Sequence, residues 1–427
     1  MPTRTPRRTR KAGPGQLDAL ASGPRPTLWH WGLGADSTAG LDLLLDDPAA
    51  FGFRDGLGSF AVVVAHTGDE WTDTYELAER FLLPRLREHR IRTIEISRAG
   101  PEAKDGIVVL SDTDRPNSLH RRGPWTLTDE LNASGTVPLR GVGLRSCSDK
   151  FKGWVLDLWA KQEFGPLPYR VAVGFNADEV KRARRDVANT VATRRPWFPL
   201  IARRLARVDV ELHLLQTYGV KWPKSYCTVC PFPSKTAARE DHIDRMRRYP
   251  QQGADSLLVE HIARALNPRM TLRTSGSLLE EVLAAKDTDA VVARYEQLLR
   301  ERPTALYEIR RILPAARSND CDHEDACTRP ECRDPNKRGR ALRSLRTVTA
   351  GTPGHALARL RDLATEHKQT VEVDEAGFHR VTLAARADTY PTVEHLYAVG
   401  PTGPVDKELE AFAGKWATAT GDPAGAG

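Results

Sequence analysis

Apolar and polar positions along this chain switch repeatedly between a period of two and a period near 3.6. The first switch falls within Thr27-Leu-Trp-His-Trp-Gly-Leu-Gly-Ala-Asp-Ser-Thr-Ala-Gly-Leu41. Trp29 and Trp31 alternate with His30 as strand residues do. Gly32 and Gly34 permit a tight turn, Asp36, Ser37 and Thr38 are residues that open helices, and the apolar run to Leu45 has helical spacing. A helix that starts right after a glycine turn aims free N–H groups and its positive dipole end at one point, a site suited to phosphate. An ordinary strand-to-helix turn has the same outline.

The rhythm continues. Phe60 to Thr67 is a continuous apolar run ending in Gly68-Asp69-Glu70, and predicts a strand buried on both faces. Tyr75 to His89 has Leu77, Phe81, Leu82 and Leu86 on one helical side, and Arg92 to Ser97 is a third strand. Lys150 to Phe164 predicts an amphipathic helix and Tyr169 to Phe175 a strand that runs on to Asp178-Glu179. Arg194 to Leu200, with two prolines, reads as a loop, and Asp209 to Tyr218 as a helix. This alternation predicts an α/β fold: a parallel sheet with helices on both faces, its ligand beyond the carboxyl ends of the strands. From 235 to about 316 the pattern is helical, and Thr370 to Val373 and His379 to Ala384 are strand-like. The expected organisation is a disordered basic tail over 1–24 and a nucleotide-binding domain over 25–235. A helical region with a cysteine-bearing basic segment over 236–345 and a small α+β C-terminal module over 346–427 follow.

Composition narrows the class. With 427 residues, 40% hydrophobic and 28% charged, the chain has the make-up of a soluble globular protein of more than one domain. No apolar run approaches a membrane span, and no apolar stretch follows the basic start as in a secretory signal, so a cytoplasmic protein without a membrane partner is expected. The net charge of +7 traces to Arg4, Arg7, Arg8, Arg10 and Lys11 and to Arg333, Lys337, Arg338, Arg340, Arg343 and Arg346, segments able to add affinity for DNA or RNA. Six cysteines make no disulfide framework here and read as metal ligands or redox thiols. Cys227-x-x-Cys230 has the short spacing that chelates one metal centre, and Cys321, His323, Cys327 and Cys332 can close a zinc site of their own.

Six segments in order resemble the PP-loop ATP pyrophosphatases, within them the phosphoadenosine phosphosulfate (PAPS) reductase-like branch. Trp31-Gly-Leu-Gly-Ala-Asp-Ser-Thr38 looks like the S-G-G-x-D-S-T loop, with Leu33 in place of a glycine. Ala65-His-Thr-Gly-Asp-Glu70 is similar to D-T-G-x-E, and Arg145-Ser-Cys-Ser-Asp-Lys-Phe-Lys152 to R-x-C-T-x-x-x-K. Gly174-Phe-Asn-Ala-Asp-Glu-Val-Lys-Arg182 resembles G-x-x-x-D-E-x-x-R, and Pro199-Leu200 and Lys224 to Phe232 resemble the later P-L and S-x-C-x-x-C-P-F segments. The resemblance covers roughly residues 25 to 235.

It implies an adenine nucleotide alpha-hydrolase-like fold that binds ATP, or PAPS, with Mg²⁺. Gly32, Gly34, Asp36, Ser37 and Thr38 would meet the phosphates, with Lys152, Arg182 and Arg145 as cations. Gly68, Glu70, Gly174, Asp178 and Glu179 would line the nucleotide site, and Asp36, Lys152 and Arg182 would act in catalysis. Cys147, Cys227 and Cys230 would carry a [4Fe-4S] cluster, with Cys321, Cys327 or Cys332 as a fourth ligand; Zn²⁺ or a metal-free redox pair are the alternatives. The implied activity is ATP-dependent adenylation coupled to sulfur transfer, with DNA or RNA as acceptor and a cysteine desulfurase as sulfur donor. Two alternatives stand beside it: a sulfonucleotide reductase using thioredoxin, and a nucleotide- or nucleic-acid-binding protein with a decayed loop. The reductases' E-C-G-x-H thiol segment has only Glu331-Cys332-Arg333-Asp334 as its nearest approach here.

Overall fold

A computed structural model describes residues 26–138, 146–188, 190–232, 236–318, 321, 327 and 329–421. It divides into two units: one holds the chain up to Glu130 and Pro138–Phe232, the other Leu131–Val137 and Pro233–Gly427. No helix among the described residues is long and apolar enough to cross a membrane.

The first unit is an α/β layer structure. β1 (Thr27–His30) leads through the glycine turn into α1 (Ala35–Asp46). β2 (Phe60–His66), a helical stretch over residues 72–88, β3 (Arg92–Arg98) and β4 (Ile107–Thr113) follow. Next come α2 (Trp154–Phe164), β5 (Tyr169–Val173), β6 (Arg194–Trp197) and α3 (Arg207–Tyr218). The six strands run in the order β4-β3-β2-β1-β5-β6. All neighbours are parallel except β3 and β4, so the sheet is mixed rather than parallel throughout. The short return from Arg98 to Ile107 leaves no room for the crossover a parallel pair needs, and β4 closes as a hairpin. The expected loop at 194–200 is in part the edge strand β6, where Pro196 is tolerated.

Strand alternation sends apolar side chains to both faces, as expected. Trp29, Val62 and Val64 pack under α1 and the 72–88 helical stretch, while Leu28, Val63, Ile94 and Ile96 pack against Val155, Trp159 and Ala160 of α2. Trp29 and Trp31 are fully buried, so their indole N–H groups need partners. Trp29 Nε1 donates to the Ser37 carbonyl at 3.0 Å and Trp31 Nε1 to Thr38 Oγ1 at 3.0 Å. The two tryptophans thereby fix the first turn of α1 against the strand it follows.

The second unit contains α4 (Pro250–Leu266) and α5 (Asp289–Glu301), then β7 (Thr304–Leu313), β8 (Ala315–Arg317), β9 (Arg333–Arg338) and β10 (Leu342–Gly351). It ends with α6 (Pro353–Glu366), β11 (Glu372–Val373), β12 (His379–Ala384), β13 (Thr392–Pro401) and α7 (Phe412–Thr420). Five strands form an antiparallel sheet in the order β10-β7-β13-β12-β11, and β8 and β9 pair separately. The helical pattern expected to 316 ends at Glu301, because Thr304–Leu313 is an interior strand of this sheet, between β10 and β13. Tyr307 and Ile309 face Leu266 of α4, and Leu306 faces Leu360 and Leu363 of α6.

Candidate functional site

The site is built at the carboxyl ends of β1, β2 and β5. The chain adds β2, β3 and β4 on one side of β1, then β5 and β6 on the other, so strand order reverses at β1. A crevice opens there in sheets of this kind. The β1 turn enters it with an extended Gly34 at the N-cap of α1, and no side chain caps the helix. Among the described residues the first-turn N–H groups of Ala35, Asp36 and Ser37 thus have no capping side chain, an arrangement that can accept an anion. Ser37 Oγ turns back to donate to the Gly34 carbonyl at 3.2 Å. Thr38 is fully buried under Trp31, so its hydroxyl fastens the turn.

Leu33 takes a backbone conformation that favours glycine. Its φ is +59°, in the left-handed region, and its side chain is buried in the core beside the turn. The left-handed backbone costs roughly 1–2 kcal/mol, less than burying a leucine returns. Leu33→Gly is therefore expected to destabilise the first unit by about 1–3 kcal/mol despite relieving the backbone, read as a lower urea midpoint at unchanged slope.

Gly174, at the end of β5, lies hard against α1. A Cβ placed there would come within 2.6 Å of Ser37 Cα and 2.8 Å of its N. Two residues on, buried Asn176 donates to Asp36 Oδ1 at 2.9 Å, and Arg207 of α3 reaches Asp36 Oδ2 at 2.6 Å. Asp178 accepts from the Arg207 backbone N–H at 3.0 Å. Arg182 pairs with Glu179 and lies over the Phe175 ring at 4.5 Å. Asp36, Asp178 and Glu179 thus all have cationic or N–H partners, and none of them belongs to a metal-ready donor group among the described residues. They form no all-protein Mg²⁺ cage among the described residues.

On the other side of β1 a pocket is lined by Gly32 and Leu33, by His66 and Thr67 at the end of β2, and by Glu70 and Lys152. Gly68 has φ +82°, and a Cβ there would overlap Thr126 Cγ2 at 2.2 Å, so this loop requires glycine. The Lys224–Phe232 segment threads between the glycine turn and the β2 loop. Trp222 Nε1 donates to the Leu33 carbonyl at 3.2 Å, and Ser225 Oγ to the Gly32 carbonyl at 3.1 Å. Cys227 bridges to Glu70, Thr228 N–H donates to the Asp69 carbonyl at 2.7 Å, and Thr67 Oγ1 lies 3.3 Å from Cys227 Sγ.

Lys152, a third exposed, lies 3.9 Å from Glu70. Burial opposes its charge, yet Glu70 and the thiols of Cys227, Cys147 and Cys230 hold its pKa above the ordinary lysine value. The three first-unit cysteines thus all act on the charge of Lys152. Their sulfurs are not among the donor groups that close on a single ion in the described residues. Burial, then Glu70, push the Cys227 thiol far up.

Cys321, Cys327 and Cys332 instead gather with one another in the second unit. This compact set can bind a metal ion. Hydrogen bonding with Cys321, desolvation and Cys327 push the Cys332 thiol up to about 12. Arg145 and His323 lie outside the described residues.

Several groups in the site escape a reading of the sequence. Buried Glu95 on β3 accepts from His66 Nε2 at 2.8 Å and from the His120 N–H at 2.7 Å, and meets His120 Nδ1 at 3.0 Å. It thereby orients His66 at the pocket wall. The signal was an acid inside the apolar strand Thr93-Ile-Glu-Ile-Ser97, which needs a buried partner. Arg207 and Asn176 carried no such signal. A further donor group, Asp42, Asp46 and His213, is already filled by Arg85, which pairs with both acids. Comparison with known proteins returned no match: no family model, no curated protein and no solved structure is similar to this chain.

Proposed function

We propose that this chain is a PP-loop enzyme with the adenine nucleotide alpha-hydrolase-like fold, which binds ATP and couples adenylation to sulfur transfer. The observation that carries the reading is the uncapped start of α1 at the strand-order reversal, pressed against Gly174. Phosphate oxygens accept from the first-turn N–H groups, and Arg207 adds a cation at Asp36. A substrate oxygen attacks the α-phosphorus, its bond to pyrophosphate breaks, and pyrophosphate leaves. Hydrosulfide, released from the desulfurase's persulfide by a thiol reductant that is oxidised to a disulfide, then attacks the adenylated position; the new bond to sulfur forms as the bond to the AMP oxygen breaks, and AMP departs with that oxygen. Lys152, beside the pocket, stabilises charge that develops on the phosphates or on the sulfur donor. An iron–sulfur cluster on Cys147, Cys227 and Cys230 would supply an open iron to hold the incoming sulfur. DNA or RNA suits the basic segments as acceptor, and a cysteine desulfurase suits the sulfur supply. The reductases' thiol segment has only Glu331-Cys332-Arg333-Asp334 as its counterpart, without the glycine and histidine, which weighs against a reductase that attacks PAPS with a thiolate.

Pyrophosphate release from Mg·ATP, assayed anaerobically, tests the reading. The expected result is release from the wild type, reduced at least about tenfold in Lys152→Gln, the usual scale for losing one preorganised charge. Sulfite formed from PAPS and thioredoxin, without pyrophosphate from ATP, would establish the reductase instead.

A further inference from the structure

The loop joining β8 to β9 brings three thiols to one point. Cys321, Cys327 and Cys332 hold their sulfurs within 4.8 Å of one another. A tetrahedral Zn²⁺ at about 2.3 Å from each thiolate holds them about 3.8 Å apart, so closing the set takes shifts of about 1 Å or less. We propose that Cys321, Cys327 and Cys332 form a mononuclear Zn²⁺ site that locks the β8–β9 hairpin, distinct from the nucleotide chemistry of the first unit.

The described residues beside the thiols are tied to them by hydrogen bonds. Ser318 N–H donates to the Cys332 carbonyl at 2.8 Å. The Arg317 guanidinium donates to the Cys321 carbonyl at 3.1 Å and that of Arg333 to the Cys327 carbonyl at 2.9 Å. Arg317 and Arg333 are also register partners at the mouth of the hairpin. Three thiolates on a divalent zinc carry one net negative charge, and these two guanidiniums beside it offset that charge.

The hairpin also needs such a staple. A two-stranded ribbon is marginal in water by itself, and β8 has three residues. Metal binding converts ligand free energy into folding free energy at sites of this kind. The compactness of the set favours a single ion over an iron–sulfur cluster, which spreads its thiolates over several irons. Among the described residues the group numbers three, which leaves the fourth tetrahedral position to water or another donor. A disulfide would use two of the thiols and leave the third without a role, whereas one ion uses all three.

The test is metal analysis of the full chain, purified anaerobically from zinc-supplemented cells, for the wild type, Cys327→Ser and Cys230→Ser. The expected result is about one zinc per chain in the wild type and in Cys230→Ser, falling to near zero in Cys327→Ser. Co²⁺ added to chelator-stripped wild type is expected to give the intense thiolate-to-metal absorption of a tetrahedral sulfur site, which covers the case in which Cys327→Ser fails to fold. Zinc retained in Cys327→Ser overturns the proposal, as does iron in its place. So does a wild type with all thiols reduced that binds neither zinc nor cobalt, or a disulfide among the three in the anaerobic protein. Loss of pyrophosphate release with zinc retained would count against the nucleotide reading alone.

Discussion

Gly174→Val is expected to weaken ATP binding by roughly 10- to 100-fold while the protein remains folded. The bulk would enter between β5 and the first turn of α1, where even a Cβ meets Ser37 Cα at 2.6 Å and Ser37 N at 2.8 Å. Both atoms are backbone, so neither can rotate away. The strand is held by β1 and β6 on its two sides, so the helix start must move. Overpacking of this kind costs about 1–3 kcal/mol, and here the displaced atoms are the N–H groups that would hold phosphate. Gly58→Ala is the control, because a Cβ there meets nothing within 4 Å. Calorimetric titration with ATP reads the affinity, and a thermal melt reads the fold. Unchanged affinity in Gly174→Val would place the nucleotide elsewhere than the start of α1.

Glu95→Ala is expected to cost about 3–5 kcal/mol of stability, the range for breaking a buried pair. Glu95 is 3% exposed and satisfies His66, itself 2% exposed, together with the backbone and ring of His120. Removing the carboxylate strands His66 in a cavity and frees the 120 segment. Burial raises the Glu95 pKa, but the hydrogen bond and charge of His66 and the His120 contacts outweigh it, and the net pKa lies below the ordinary glutamate value. Its stabilisation is therefore complete above the unfolded value of about pH 4.3 and is lost as pH falls through the lower folded value. Urea denaturation between neutral pH and the onset of acid unfolding reads both effects. The wild type should lose stability in the acid window, and Glu95→Ala should lose less there, having already lost it at neutral pH. A variant as stable as the wild type at neutral pH would show that the His66–Glu95 pair contributes nothing net.

The β1 turn was legible because everything that makes it is local. Alternating tryptophans, two glycines and a polar triad lie within a dozen residues, and each acts on its own backbone. Even Leu33 follows that rule, since the turn imposes its left-handed φ whatever residue stands there. The interior strand β7 was not legible. It follows a true helix, α5, and Ala305-Leu-Tyr-Glu-Ile-Arg-Arg-Ile-Leu313 is too short an apolar pattern for its period to choose between helix and strand. Its pairing with β10 and β13 made the choice. The direction of β4 was likewise set by its pairing with β3.

The sequence by itself determined where the turns, the buried strands and the metal-capable thiols lie, because local periodicity, glycine and cysteine spacing are written along one dimension. Only the tertiary structure decided which of them meet. Asp36 finds Asn176 140 residues away and Arg207 171 residues away, because β5 returns to the opposite side of β1. Cys227 reaches Thr67 across 160 residues, and Cys147, Cys227 and Cys230 all act on the charge of Lys152. Cys321, Cys327 and Cys332 chose each other because a short hairpin closes the loop that carries them. Such pairings depend on strand order and chain reversal, which no local pattern encodes, and they decide the charge and the chemistry at each site.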